Sequence, residues 1–238
     1  MKASSSRAWV TPLQTAVTFG LFAEAALAIG LAATPGVHLW LFVFEHFRES
    51  ALWLQVPVLC VAGALAYFTF GIALLFVIAA LRWVTFATGT PLGTYPYISW
   101  KGYQWASYNA LILIVRFSFV NWLRATPINV FFYRMMGLKA GARVQVNTAV
   151  VADCNLIELG DDTVIGGDVT LVAHAVEGPN LVTAKVRIGN RVTVGIMAVI
   201  LPGCEIGDDA TVAAGAILKK GTRIGPGEVW GRVPAKKL

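Results

Sequence analysis

Charge is scarce in this chain, and acid is scarcer than base. Only 13% of its 238 residues are Asp, Glu, Lys or Arg, 13 acidic against 19 basic, while 57% are hydrophobic. Soluble domains carry about 25% charged residues, so an ordinary soluble globule is excluded. The mean hydropathy of +0.67 agrees. The deficit is local. Residues 13–33 hold a single charge, Glu24, and residues 51–81 hold none. Both runs exceed the roughly 20 residues needed to cross a bilayer. The first opens after Thr11-Pro12, a fitting cap and first helical residue, and Pro35-Gly36 closes it. Pro57 suits the first turn of the second. Two transmembrane helices are predicted. The first run is too long for a secretory signal, and no small-residue cleavage site precedes a soluble domain.

Cysteine is rare as well, with three in the chain. Cys60 falls in the second apolar run, and nothing beside Cys154 or Cys204 would activate a thiol, so no disulfide framework is expected. Long basic runs are missing too. The net charge of +6 is scattered, which excludes a nucleic-acid stripe and leaves anionic lipid headgroups as its natural partner.

What is present in the carboxy-terminal half is a period of six. Ile188, Val194, Ile200, Ile206, Val212, Leu218, Ile224 and Trp230 keep it, with small residues two positions before most of them: Ala198, Cys204, Ala210, Ala216 and Thr222. Such a period fits neither a helix nor a simple alternating strand. It marks a parallel β-helix, each hexad giving one short strand and one corner. Backward, Leu159, Ile165 and Leu171 keep the period, as do Ala140, Val146 and Ala152. One extra residue separates Ala152 from Leu159, and a long interruption separates Leu171 from Ile188. Three hexads per coil give five levels, the last incomplete, with Trp230 as the plug. The levels stack at about 4.8 Å.

Residues 103–123 are aromatic and aliphatic but carry Arg116. They read as a helix lying in the membrane interface, with Trp105, Tyr108 and Trp122 as anchors and Lys101, Arg124 and Arg134 at its flanks. The alternative is a third crossing. The domains expected are a transmembrane hairpin at 1–82, an interfacial linker at 83–135 and the β-helix at 136–238. Lys2 and Arg7 precede the first span, and Arg82 and Lys101 follow the second. The positive-inside rule therefore puts both ends on the cytoplasmic face of a cell (inner) membrane.

The prism holds one histidine, His174, at a corner where the period breaks. Residues 175–185 follow as an irregular loop, and loops expelled from a rigid scaffold often carry function. An imidazole suits general-base work in acyl transfer. Glu177, Asp153 or Asn155 is the candidate to orient it. Stacking places Asn155 below it and Gly203 and Gly221 above, a column stripped of side chains along which a pantetheine arm fits. Lys219 and Lys220, two levels up, are candidates for phosphate. The competing reading makes His174 a polar corner residue and the lysines a solvated corner. No metal site is expected.

These features together resemble the hexapeptide-repeat transferases, which share the period, a histidine before an expelled loop, and a closing segment like Trp230-Gly231-Arg232-Val233-Pro234-Ala235-Lys236. Arg232 stands where that segment usually has glycine. Gly93-Thr94-Tyr95-Pro96 and the stretch Phe132-Tyr133-Arg134-Met135-Met136-Gly137-Leu138-Lys139-Ala140-Gly141 further resemble the membrane-plus-β-helix units that end poly-lysine-type nonribosomal peptide synthetases. The resemblance covers most of the chain after Leu81. It implies a left-handed coil, although general chirality rules favour right-handed crossovers. It also implies a homotrimer with sites between prisms, and a donor that is acyl-CoA or a carrier-protein thioester, with no permanently bound cofactor. His174 matches the family histidine. Relatives with γ-carbonic-anhydrase activity need several histidines for zinc, and this prism offers one.

The expected function is a membrane-anchored acyltransferase that moves an acyl group, typically acetyl, from a thioester donor to a hydroxyl or amine at the cytoplasmic leaflet. Its acceptor would be a glycolipid, a polysaccharide precursor or an amine. The alternatives are an amide-forming unit fed by a carrier protein and a non-enzymatic trimeric scaffold.

Overall fold

The computed structural model describes residues 10–85 and 87–238. The expectations resting on Lys2 and Arg7 lie outside the described residues. The chain divides into two compact units, Met1–Leu81 and Arg82–Leu238.

The first unit is a pair of helices. α1 runs Val10–Phe47 and α2 runs Leu52–Val84. Both are long and apolar enough, by length and composition, to cross a membrane. Two sequence expectations are corrected here. α1 is already helical at Val10, so Thr11-Pro12 does not open it. Nor does Pro35-Gly36 end it, because Pro35 lies inside the helix. A proline interrupts one backbone bond, which an apolar helix tolerates when its neighbours pack closely. Gly36 permits that approach: a Cβ there would sit 2.5 Å from the Ala66 carbonyl oxygen on α2.

The second unit is a triangular coil with a helical flank. Parallel pairing joins Thr193 to Thr211 and Thr211 to Val229 on one face, Val199 to Ile217 on the next, and Glu205 to Arg223 on the third. Every partner lies three hexads further on, which makes this a parallel β-helix. The six-residue period therefore aims one aliphatic side chain per hexad inward. Ile165, Val194 and Val212 stack on one face and Leu171, Ile200 and Leu218 on another, each at most 1% exposed. Burial of this kind contributes roughly 25 cal/mol per Å² of apolar surface removed from water.

The period slips in the lowest level. Val151, not Ala152, is the buried residue bridged to Leu171. The extra residue is taken up in a 3-10 turn at Cys154–Leu156, which follows Asp153 in the left-handed conformation at φ 58°. Above, Trp230 pairs with Val212 as the register requires, but it is half-buried rather than a sealed plug. The end is closed instead by Lys236–Lys237, which returns antiparallel onto Val229–Gly231.

The interruption after Leu171 is also more regular than a loop. His174–Glu177 and Asn180–Thr183 form an antiparallel hairpin, and Gly93–Pro96 adds to it as a third strand. α3 (Trp100–Ser118) starts at an N-cap, Ser99, whose hydroxyl accepts from the Gly102 N–H. A 3-10 turn at Val120–Leu123 and α4 (Pro127–Met135) follow. α3 buries Tyr108, Leu111, Ile112 and Val115 within this unit. Tyr108, expected as an interfacial anchor, is fully enclosed and donates its hydroxyl to the Met136 carbonyl.

Candidate active site

The coil carries His174 out of its core at the root of the hairpin, where the chain leaves the triangular path. Below it, the left-handed corner turns the Asp153 side chain inward. The two meet: His174 Nδ1 lies 2.5 Å from Asp153 Oδ2. Asp153 is fully buried, whereas the His174 side chain keeps 25% of its exposure. With Nδ1 engaged by a carboxylate, that nitrogen carries the proton and Nε2 is the one available to a substrate.

A buried carboxylate requires partners, and Asp153 has a full set. Its Oδ1 accepts from the Thr90 hydroxyl at 2.7 Å and from Asn109 Nδ2 at 2.9 Å. Its Oδ2 also accepts from the Ala173 N–H at 3.1 Å. Asn109 uses both ends of its amide, since its Oδ1 accepts from the Asp153 N–H. Burial pushes the Asp153 carboxyl up, but the bond and charge of His174 and the bonds from Thr90 and Asn109 outweigh it and hold the group below the ordinary carboxylate value. The result is a fixed negative charge behind the imidazole.

The segment that supplies Thr90 is tied down on both sides. Asn155 accepts from the Thr90 N–H and donates to the Thr90 carbonyl, both at 2.9 Å. Gly89 is required there, because a Cβ would lie 2.8 Å from the Asn155 amide. On the other side the Thr183 hydroxyl donates toward the Pro91 and Gly93 carbonyls and accepts from the Gly93 N–H at 2.8 Å. Tyr95 donates to the Pro91 carbonyl, and burial pushes its phenol up to about 12. Aromatic rings complete the surround. The Trp105 ring packs edge-on against His174 at 5.0 Å and against Tyr97 at 5.7 Å.

The sequence candidates separate accordingly. Of the three groups considered as orienters of His174, Asp153 is within hydrogen-bonding distance. Asn155 is turned by the 3-10 turn toward Thr90, so the stacking that placed it directly beneath the ring is corrected. Glu177 sits on the hairpin and pairs with Lys220. Gly203 and Gly221 stack, with φ of 80° and 68°, and a Cβ at Gly203 would lie 3.4 Å from the Gly221 backbone. Lys220 meets a carboxylate of its own chain, that of Glu177. Lys219 is exposed, and its carbonyl accepts from Thr222 and Cys204. Among the described residues no group of three or more His, Cys, Asp or Glu could hold a metal ion.

Thr90, Asn109 and Thr183 were missed in the sequence, and Trp105 was read there as a membrane anchor. Asn109 carried a usable signal, being an amide in the middle of an apolar helix. Thr90 and Thr183 carried none, since only the fold brings them to Asp153 and Pro91.

Comparison with known proteins agrees with this architecture. Residues 185–220 match the family described as bacterial transferase hexapeptide (six repeats). The chain is 25% identical over 214 residues to the delta-poly-L-ornithine synthetase of Acinetobacter baumannii, covering 89% of this chain but 15% of that protein. It is 30% identical over 128 residues to the putative acetyltransferase YvoF of Bacillus subtilis, covering 51% of this chain and 73% of that one. A solved galactoside acetyltransferase in complex with coenzyme A is 20% identical and covers 61% of this chain and 84% of that chain, with a TM-score of 0.46. The chain belongs to the bacterial hexapeptide-repeat transferases.

Proposed function

We propose that this protein transfers an acyl group from a thioester donor such as acyl-CoA to a hydroxyl or amine, with His174 as general base, at the cytoplasmic leaflet of a membrane that α1 and α2 cross. The observation that carries the reading is the His174–Asp153 pair, a partly exposed imidazole on a fully enclosed carboxylate. Nε2 takes the proton of the acceptor as its oxygen or nitrogen attacks the thioester carbonyl carbon. The tetrahedral intermediate collapses, the C–S bond breaks, and the imidazolium returns the proton to the leaving thiolate. Asp153 holds the tautomer and offsets the imidazolium charge without itself gaining a proton. General-base action of this kind contributes about 10²–10⁴-fold.

The Gly203–Gly221 column, which the stacking of hexads puts above His174, suits an extended pantetheine arm, and exposed Lys219 suits its phosphates. Lys220 serves that role only if it leaves Glu177. A homotrimer would complete the cleft between neighbouring prisms, and no permanently bound cofactor is needed. The acceptor we favour is a glycolipid, a polysaccharide precursor or an amine.

A second reading is amide formation from a carrier-bound aminoacyl thioester. It is favoured by the match over 89% of this chain to the delta-poly-L-ornithine synthetase. Mass spectrometry of products formed with acetyl-CoA alone, and with a loaded carrier protein, separates the two. Acylated product from acetyl-CoA alone, lost in His174→Ala, supports the first. Product only with the carrier replaces it with the second, and product undiminished in His174→Ala removes the proposed base.

A further inference from the structure

Residues 50–152 contain no aspartate or glutamate, yet they carry seven lysines or arginines. Within this acid-free stretch α3 is apolar on both faces. Tyr108, Leu111, Ile112 and Val115 turn inward and are buried. The opposite stripe, at the spacing of successive helical turns, is Trp100, Tyr103, Ala106, Ala110, Leu113 and Phe117. Trp100 is 61% and Phe117 78% exposed. Trp122 on the 3-10 turn and Phe131 on α4 are also 63% and 48% exposed. A helix on a soluble domain carries polar residues on its outer face, and contiguous exposed apolar surface marks a binding surface.

The basic residues at its edge are of two kinds. Arg124 and Arg134 are used by the fold, Arg124 on Asp168 and Arg134 on the Ala140 and Gly141 carbonyls. Lys101 and Arg116 form no ion pair among the described residues; their cations lie over the Tyr95 and Phe117 rings at 5.9 and 5.4 Å. Exposed tryptophan and phenylalanine rimmed by uncompensated cations is the composition of a bilayer interface, where rings enter the headgroup layer and cations meet phosphates.

We infer that the outer face of α3 and α4 docks on an anionic phospholipid bilayer. The inference rests on the reading that α1 and α2 span a membrane, and it deepens that reading. Two features favour a bilayer over a second protein copy as the occupant. The face bears positive charge with no acid of its own to pair it, so two copies would repel, whereas phosphodiester headgroups complement it. It also begins with the next helix in sequence after one long and apolar enough to cross a membrane. The consequence reaches the site, since Trp105 of the same helix touches His174. An acceptor at that site then belongs to the class of amphiphiles whose reactive hydroxyl or amine lies at headgroup depth.

The test is spin labelling of the full chain carrying Cys60→Ser, reconstituted in vesicles of phosphatidylcholine with a minor fraction of phosphatidylglycerol. Nitroxides are placed at Phe117→Cys, at Met197→Cys on the coil and at Val61→Cys on α2. Accessibility to oxygen is compared with accessibility to a water-soluble nickel complex. The expected result is an oxygen-to-nickel ratio several-fold higher at Phe117 than at Met197. Adding Lys101→Gln and Arg116→Gln should lower it several-fold. A Phe117 label as aqueous as Met197, dipolar broadening that reports a second copy on this face, or a ratio indifferent to the two glutamines each overturns the inference. Val61 separates the failures. If Val61 lies in lipid while Phe117 lies in water, the docking face alone is wrong; if Val61 is aqueous, the membrane reading of α2 falls first.

Discussion

Asp153 shows how one residue organises the proposed site. It is buried and accepts from His174, Thr90, Asn109 and the Ala173 N–H, so its charge survives where desolvation would otherwise neutralise it. Asp153→Asn keeps the size but removes the charge that favours the imidazolium. We expect kcat to fall about 10²–10⁴-fold with little change in donor KM, measured by steady-state thiol release. His174→Ala leaves the carboxylate its other three donors, so that variant should still fold and give a cooperative thermal transition. At the far end of the coil, Glu228 makes a second residue-scale case. It accepts from Lys237, the Trp230 indole and the Gly225 N–H, which hold its carboxyl down at about 2. A depressed folded value means its contribution is complete above the ordinary carboxylate range and is lost as pH falls through about 2. The stability difference between wild type and Glu228→Gln, followed by denaturation with Trp230 emission, should shrink toward zero over that descent. A difference independent of pH would remove Glu228 from the closure of the coil.

Elements that follow a period were legible in the sequence, and those made by long-range pairing were not. The inward aliphatics from Ile188 to Ile224 announced strands and register together, because each inward side chain must stack on the one three hexads away. The lowest level was misread. An extra residue can be placed at any corner, and only packing decides that Val151 turns inward and the 3-10 turn absorbs the surplus. The hairpin was misread for a related reason. Residues 175–185 break the period, and nothing local says that Gly93–Pro96 will pair with Asn180–Thr183. His174 and Asp153 were each picked out, yet their meeting depends on the left-handed corner at Asp153, which the spacing does not specify. Thr183 tests how this assembly holds the site. Its hydroxyl adds a side-chain link between the hairpin and the Pro91–Gly93 backbone, so Thr183→Val orphans buried polar groups at about 1–3 kcal/mol. We expect a lower unfolding midpoint and a reduced kcat, because the same backbone presents Thr90 to Asp153. A destabilised variant with full kcat would show that the segment is mere packing.

At the scale of the whole molecule, the acid-free stretch from residue 50 to 152 runs across the boundary between the two units in sequence. The proposed orientation follows from parity and charge. Two spans return the chain to the side on which it started, and Arg82 in the last turn of α2 and Lys101 beyond it favour the cytoplasmic face. The short connection between the helices carries Glu45, Arg48 and Glu49, with Arg48 paired to both acids, and so offers no competing positive charge. A third crossing by α3 would reverse the coil, but α3 encloses Tyr108, Leu111, Ile112 and Val115 in its own unit and cannot give both faces to lipid. A fluorescent protein fused after Leu238 should therefore be bright in cells, and alkaline phosphatase at the same position inactive. Adding an Arg pair at Glu45 and Glu49 should weaken that preference. An active phosphatase fusion in the unaltered chain would place the coil away from cytoplasmic thioesters and sever the proposed donor from the His174 site.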